Sequence, residues 1–146
     1  MLTFNWIQGK EPAFADAAKV RMQVFVTEQG YSPQGELDEQ DEASLHIIGY
    51  NNGAPVCTAR LFVDADKESY HVGRVAVLPV MRGQGAGLQL MQRVEEKAKQ
   101  LRAKRLVLSA QADKTYFYHR AGFSPTGVTT LDEGQPHAEM EKYLGK

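Results

Sequence analysis

Val72-Gly-Arg-Val-Ala-Val-Leu78, followed by Arg82-Gly-Gln-Gly-Ala-Gly87, is the stretch on which the reading of this chain turns. The first segment is a strand-like apolar run and the second a glycine-rich loop. After them Leu88, Met91, Val94, Ala98 and Leu101 recur at the three- and four-residue spacing of one helix face. The glycines thus precede the first helical turns. There the backbone N–H groups lack intrahelical acceptors, the helix dipole favours negative charge, and residues without a Cβ let an anion approach the main chain. Strand, loop and helix start together predict a phosphate site; a glycine-rich turn that only caps the helix is the plainer alternative.

Absent residues narrow the phosphate. A nucleoside triphosphate loop needs Lys and then Ser or Thr after the last glycine, to reach the terminal phosphates and Mg²⁺, whereas Leu88-Gln89 follows here. A dinucleotide fingerprint needs a different glycine spacing and an acidic residue at the end of the next strand. The strand expected over residues 105–110 leads instead into Gln111.

Around this segment the elements alternate. Leu2-Thr-Phe-Asn-Trp6 reads as a first strand, and Pro12 precedes a helix whose Phe14, Ala17, Ala18, Arg21, Met22 and Phe25 share a face. Residues 30–42 have no apolar period and read as a loop. Residues 45–50 and 56–63 are strand-like around Asn51-Asn52-Gly53, a hairpin signal because Asn and Gly tolerate positive φ. A turn at 64–68 returns the chain into the strand ending near Leu78, which makes an antiparallel meander. A crossover strand at 105–110 follows the long helix. Then come a short helix with Asp113 as N-cap and Gly122 just past its end, and strands near 124–130 and 138–143. The fold class is α/β (α+β), in the order β-α-β-β-β-α-β-α-β-β, with a mixed sheet of about seven strands.

At 146 residues the chain suits one domain over residues 1–146, since a fold of this size buries roughly 70% of its unfolded surface. A net charge of −1 without a Lys/Arg run argues against a nucleic-acid partner. Cys57 is the sole cysteine and reads as a small buried strand residue. Neither a signal peptide nor an apolar run of membrane-spanning length is recognisable, so no membrane association and a cytoplasmic location are expected. The acidic stretch at 36–42 lacks the Gly and final Glu of a calcium loop, and no His/Cys cluster has zinc spacing, so no metal is expected.

Arg82-x-x-Gly85-x-Gly87 after a strand resembles the pyrophosphate loop of the GNAT superfamily of acyl-coenzyme A transferases. Phe117-Tyr-His-Arg-Ala-Gly-Phe123 looks like the second motif of that family, Phe-Tyr-x-x-x-Gly-Phe. Further features lie upstream and downstream: Arg21-Met-Gln-Val-Phe-Val-x-Glu-Gln, Glu36-x-Asp38-x-x-Asp41, His46, Thr58-Ala-Arg-Leu61 and Pro136-His-Ala-Glu-Met140. The whole pattern is similar to the ElaA-like branch of GNAT and covers nearly the full chain.

The resemblance implies an acetyltransferase that takes acetyl-coenzyme A as co-substrate and a small-molecule or peptide amine as acceptor; a homodimer is compatible with it. It implies that the fourth and fifth strands splay apart. The pantetheine arm of coenzyme A would lie between them against the backbone of Val75, Ala76 and Val77, with an N–H near Val77 for the thioester oxygen. The diphosphate would take the N–H groups of Arg82, Gly83, Gln84, Gly85, Ala86 and Gly87, the Arg82 side chain either helping or facing solvent. Gln111 stands where many relatives place a cofactor-binding asparagine, and Phe117 is counted among the cofactor contacts. Tyr118 matches the tyrosine that protonates the coenzyme A thiolate. With a reference pKa near 10 a phenol keeps its proton at neutral pH, and Tyr116 lacks the spacing of the motif.

The general base is open. The fourth strand offers Gly73, Arg74 and Val75 where several relatives place a Glu, so the candidates are Glu36, Asp38 and Asp41 in the acidic loop, or His46 and His137, with Glu36 and the two histidines put first. Asp38 and Asp41 are substrate candidates that would attract a cationic amine. Arg60 and Arg74 would either pair with this acidic loop or face an anionic group of the acceptor. Arg21, Phe25, the acidic loop and Arg60 also resemble acyl-homoserine lactone synthases. A third reading is a module that senses acetyl-coenzyme A without turnover.

Overall fold

The computed structural model describes residues 2–145. The chain runs through β1 (Leu2–Gln8), α1 (Phe14–Arg21), a π-helical continuation (Met22–Glu28), a helical turn α2 (Pro33–Glu36) and a 3₁₀ turn (Glu39–Asp41). Then come β2 (Leu45–Asn51), β3 (Ala54–Val63), β4 (Ser69–Val77), α3 (Ala86–Gln100), β5 (Arg105–Gln111), α4 (Thr115–Arg120), β6 (Ser124–Asp132) and β7 (Gln135–Tyr143). This is the expected order with α2 added: residues 30–42 form two short turns, not an open loop.

All seven strands form one sheet in the order β1-β2-β3-β4-β5-β7-β6. The β1 to β4 meander is antiparallel, β4 and β5 are parallel, and β7 and β6 return antiparallel. Asn52 and Gly53 adopt φ of 53° and 82° and close the β2–β3 hairpin. Successive residues of a strand point to opposite faces, so the sheet is covered twice. Ile47 and Leu61 pack with Leu90, Met91, Val94 and Ala98 of α3, while Ile48 packs with Phe14 and Ala17 of α1. Gly49 is needed by contact: a Cβ there would overlap the Cys57 sulfur and lie 2.9 Å from the Phe4 ring.

Both helices shift the face expected of them. Leu90 of α3 is fully buried, while Leu88 is half-buried along a cleft and Leu101 lies exposed at the C-cap. On the first helix Val20 and Val24 are buried while Met22 and Phe25 are only half-buried; past Arg21 the α pattern gives way to i→i+5 bonding, with the Gln29 N–H on the Val24 carbonyl at 3.1 Å. Asp113 is not an N-cap; it lies in a 3₁₀ turn, and α4 starts at Thr115 after Lys114 without a side-chain cap.

Two irregularities open the middle of the sheet. Thr58 pairs with Ala76 but Arg60 with Gly73, so Ala59 faces both Arg74 and Val75 and β4 carries a bulge. Arg74 sits in it at φ 51°, a left-handed conformation that costs an L-residue roughly 1–2 kcal/mol. Its guanidinium secures it, donating to the Gly35 and Glu36 carbonyls at 3.2 Å. The β4–β5 ladder is short: Ser69, Tyr70 and His71 pair with Arg105, Leu106 and Val107, and beyond them the strands part. The expected splay is therefore present.

Candidate active site

The gap between β4 and β5 is a cleft of about 880 Å³, large enough for an extended ligand and a small partner together. Val75, Ala76 and Val77 line one wall, Leu108, Ser109 and Gln111 the other. Val77 lies opposite Cys57, and the next N–H, that of Leu78, bonds the Val56 carbonyl at 2.9 Å. In an antiparallel ladder this marks a non-hydrogen-bonded pair, whose own N–H and C=O turn away from the partner strand. The Val77 N–H and carbonyl therefore point from β3 toward the cleft.

At the glycine loop, Gly83 and Gly85 have φ of 77° and 82°, and a Cβ on either would meet nothing within 4 Å. Conformation, not space, requires them. Gly87 is the reverse case. It lies inside α3, not ahead of it, and a Cβ would stand 3.0 Å from the Phe117 ring. Among the described residues the N–H groups of Gly83, Gln84, Gly85, Ala86 and Gly87 have no backbone acceptor, as the start of a helix dictates. Arg82 departs from expectation: its N–H bonds the Pro79 carbonyl at 3.1 Å. Its side chain is engaged by the protein itself. Nε donates to the Val77 carbonyl at 2.9 Å, and Nη1 and Nη2 grip Glu28 at 2.6 and 2.7 Å.

Phe117 and Tyr118 come from α4, whose end is set by Gly122 at φ 98° and by the Phe123 N–H on the Tyr118 carbonyl at 3.0 Å. Both rings line the cleft. Burial pushes the Tyr118 phenol well above its ordinary pKa, so it keeps its proton. Tyr116 is 73% exposed and does not line the cleft. The Gln111 amide donates to Gln29 Oε1 at 2.7 Å.

Within the acidic stretch Glu39 and Glu42 are exposed, whereas arginines hold Glu36, Asp38 and Asp41. Arg21, fully buried, donates from Nε to Glu36 Oε2 at 3.0 Å and from Nη1 to Asp41 Oδ1 at 2.7 Å. Arg60 reaches Asp38 at 2.7 Å and Asp41 at 3.0 Å, and Arg74 pairs with Glu36 at 3.0 Å and Asp38 at 3.2 Å. Arg60 and Arg74 thus pair with this loop, and both also line the cleft. Asp41 is a correction: it is wholly buried behind the cleft between two arginines and cannot meet a substrate. Burial raises its pKa, but the bonds from Arg21 and Arg60 prevail and hold it low; Asp38 is likewise held low. Asp38 does not line the cleft and braces Arg60 and Arg74.

Glu36 differs. Arg21 and Arg74 both hold its Oε2, whereas Oε1 has no protein partner among the described residues, and Glu36 lines the cleft. Burial outweighs the arginines and raises its pKa above the ordinary 4.5. His46 is a second correction. Its ring is buried against Phe14, its Nε2 meets the Asp41 carbonyl at 3.0 Å, and it lies outside the cleft. His137 does line the cleft; its Nδ1 bonds the Gln135 carbonyl at 3.0 Å, which leaves Nε2 as the proton acceptor.

Four residues to which the sequence assigned no part in the site join it: Arg21 as its organiser, Glu28 and Gln29 from the same upstream motif, and Tyr31, of which Gln29 and Tyr31 line the cleft. One signal points to Arg21: a charge on an apolar helix face calls for a buried partner.

Residues 13–144 match the model of a family described as acetyltransferase (GNAT) domain. The chain is 33% identical over 138 residues to the uncharacterized N-acetyltransferase YjcF of Bacillus subtilis, across 93% of this chain and 96% of YjcF. It is 34% identical over 128 residues to ElaA of Escherichia coli, across 85% and 83% of the two chains. The ElaA crystal structure superposes with a TM-score of 0.86 over 97% of this chain and 99% of its own, at 30% identity. An acyl-CoA N-acyltransferase from Pseudomonas aeruginosa superposes equally well, at 0.86 and 28% identity over 97% and 99%.

Proposed function

The chain belongs to the GNAT family of acetyltransferases, in its ElaA-like branch, and on that premise we propose that it moves an acetyl group from acetyl-coenzyme A to a primary amine by direct attack in a ternary complex. The acceptor is a small molecule or a peptide. One observation carries the reading: a single cleft runs from the unpaired N–H groups of the glycine loop, along the parted edges of β4 and β5, to both Tyr118 and Glu36. A long ligand with a diphosphate and two amides suits such a channel, because N–H groups at a helix start take the phosphates and free strand edges take amides.

Each group then has one task. Glu36 Oε1 accepts the proton of the incoming ammonium, so the nitrogen lone pair can attack the thioester carbonyl. The Val77 N–H donates to the carbonyl oxygen as negative charge builds on it. As the N–C bond forms and the C–S bond breaks, the Tyr118 hydroxyl gives its proton to the departing thiolate; the nitrogen, cationic after attack, releases its second proton, which restores the phenol, and Glu36 passes the first to solvent. His137 contacts the acceptor from the opposite wall. Calorimetry with acetyl-coenzyme A tests the donor, and thiol release with a panel of amines tests the acceptor. Binding in the micromolar range and turnover with at least one amine are expected; no binding removes the assignment.

A further inference from the structure

Two consecutive residues of the π-helical tail reach both walls of the cleft. Glu28 holds Arg82 through both carboxylate oxygens, at 2.6 and 2.7 Å, and Arg82 Nε in turn holds the Val77 carbonyl on β4 at 2.9 Å. Gln29 Oε1 accepts from Gln111 Nε2 at the end of β5, at 2.7 Å. Past His71 and Val107 the strands share no ladder, so these side chains tie the parted walls together. The helical irregularity serves this reach. The i→i+5 bond from Gln29 to Val24 adds a residue to the turn and changes the angle at which Glu28 and Gln29 leave the helix. Upstream, the same helix carries Arg21, which fixes the Glu36 carboxylate at 3.0 Å and the Glu36 carbonyl at 2.6 Å.

We propose that Glu28 and Gln29 are positioning residues: a brace that sets the separation of β4 and β5 and the direction of the Val77 peptide, and couples the donor channel to Glu36 through one helix. This rests on the coenzyme A reading above. An isolated pair as exposed as Glu28 and Arg82, at 36% and 40%, is worth little. This pair is two-pronged, and its arginine makes a third bond to backbone, which restricts the guanidinium to one geometry.

Calorimetry of coenzyme A binding to four proteins tests it: the parent, Glu28→Gln, Gln29→Leu, and the exchange Glu28→Arg with Arg82→Glu. Glu28→Gln keeps the shape and loses the charge; it weakens coenzyme A about fivefold and raises the KM for acetyl-coenzyme A in parallel. Gln29→Leu weakens it about threefold, as for one lost hydrogen bond. The exchange restores an ion pair, but a carboxylate at position 82 cannot donate to the Val77 carbonyl, so affinity stays low. Coenzyme A also tightens the amine in the parent more than in Glu28→Gln. If Glu28→Gln binds coenzyme A within twofold of the parent, or the exchange recovers parental affinity, the brace is overturned and the donor assignment stands. A parent that binds no coenzyme A removes that assignment and the brace with it.

Discussion

In the proposed reaction Tyr118 and Glu36 divide the proton traffic, and their surroundings push them in the directions it needs. Burial raises the phenol and favours the protonated form that a leaving thiolate needs. Tyr118→Phe should cut kcat by about 10²-fold and leave coenzyme A affinity within twofold, read by steady-state kinetics beside calorimetry. Glu36 is also raised by burial, and a carboxylate base works only when ionised. Activity should therefore rise with pH through a value above 4.5, the ordinary value for this group. In a kcat/KM profile Glu36→Gln should abolish that limb; a limb that survives would hand the base role to His137. His137→Ala should instead raise the acceptor KM by about fivefold.

At the scale of elements, the three glycines of the loop, similar in sequence, answer different demands. Gly83 and Gly85 adopt positive φ with open space around them, so Gly85→Ala should cost about 1 kcal/mol of stability in a denaturant melt. Gly87 has ordinary φ but leaves only 3.0 Å for a Cβ before the Phe117 ring. Gly87→Ala must displace Phe117, a cleft residue on α4, and should weaken coenzyme A by about tenfold with a smaller change in melting temperature. The β4 bulge shows the same economy of means. One extra residue turns Arg74 into a left-handed conformation, and its guanidinium then fastens α2, which carries Glu36, to the sheet.

Across the whole molecule the cluster of Arg21, Arg60 and Arg74 with Glu36, Asp38 and Asp41 links α1, α2, β3 and β4. Its centre is buried, so breaking it on one side strands a charge. Asp41→Asn should cost about 3–5 kcal/mol by equilibrium unfolding. Acid should undo the fold in two stages. Burial holds the His46 pKa below 6.5, so the unfolded chain takes up that proton first and stability declines as pH falls through 6.5. Asp38 and Asp41 are held below the ordinary carboxylate range, so their contribution is present above about pH 4 and is lost as pH falls further. Glu36 opposes them: raised in the folded state, it favours folding at low pH and ceases to as pH rises through its folded value. His46→Gln should flatten the first decline alone, in urea melts between pH 7 and 5.

Local chemistry makes the order of elements, the hairpin at Asn52-Gly53, the glycine loop at a helix start and the end of α4 at Gly122 legible in the sequence. Each depends on backbone freedom or apolar spacing within a few residues. The family motifs lie in those same local segments, and for that reason the glycine-loop end of the cleft, the proposed donor end, is legible in the chain alone. The acceptor end is not. Glu36 and Asp41 belong to one short acidic stretch, yet one opens on the cleft and the other is sealed behind it, because Arg21, 15 residues before the first and 20 before the second, holds them at different depths. His46 and His137 look alike as isolated histidines and part on burial and facing. Arg82 stands at the head of the glycine loop and is held by Glu28, 54 residues upstream. What neighbours along the chain can settle was written in the sequence; the partner and the depth of each charged group depend on desolvation and on distant residues, and only the tertiary structure decided them.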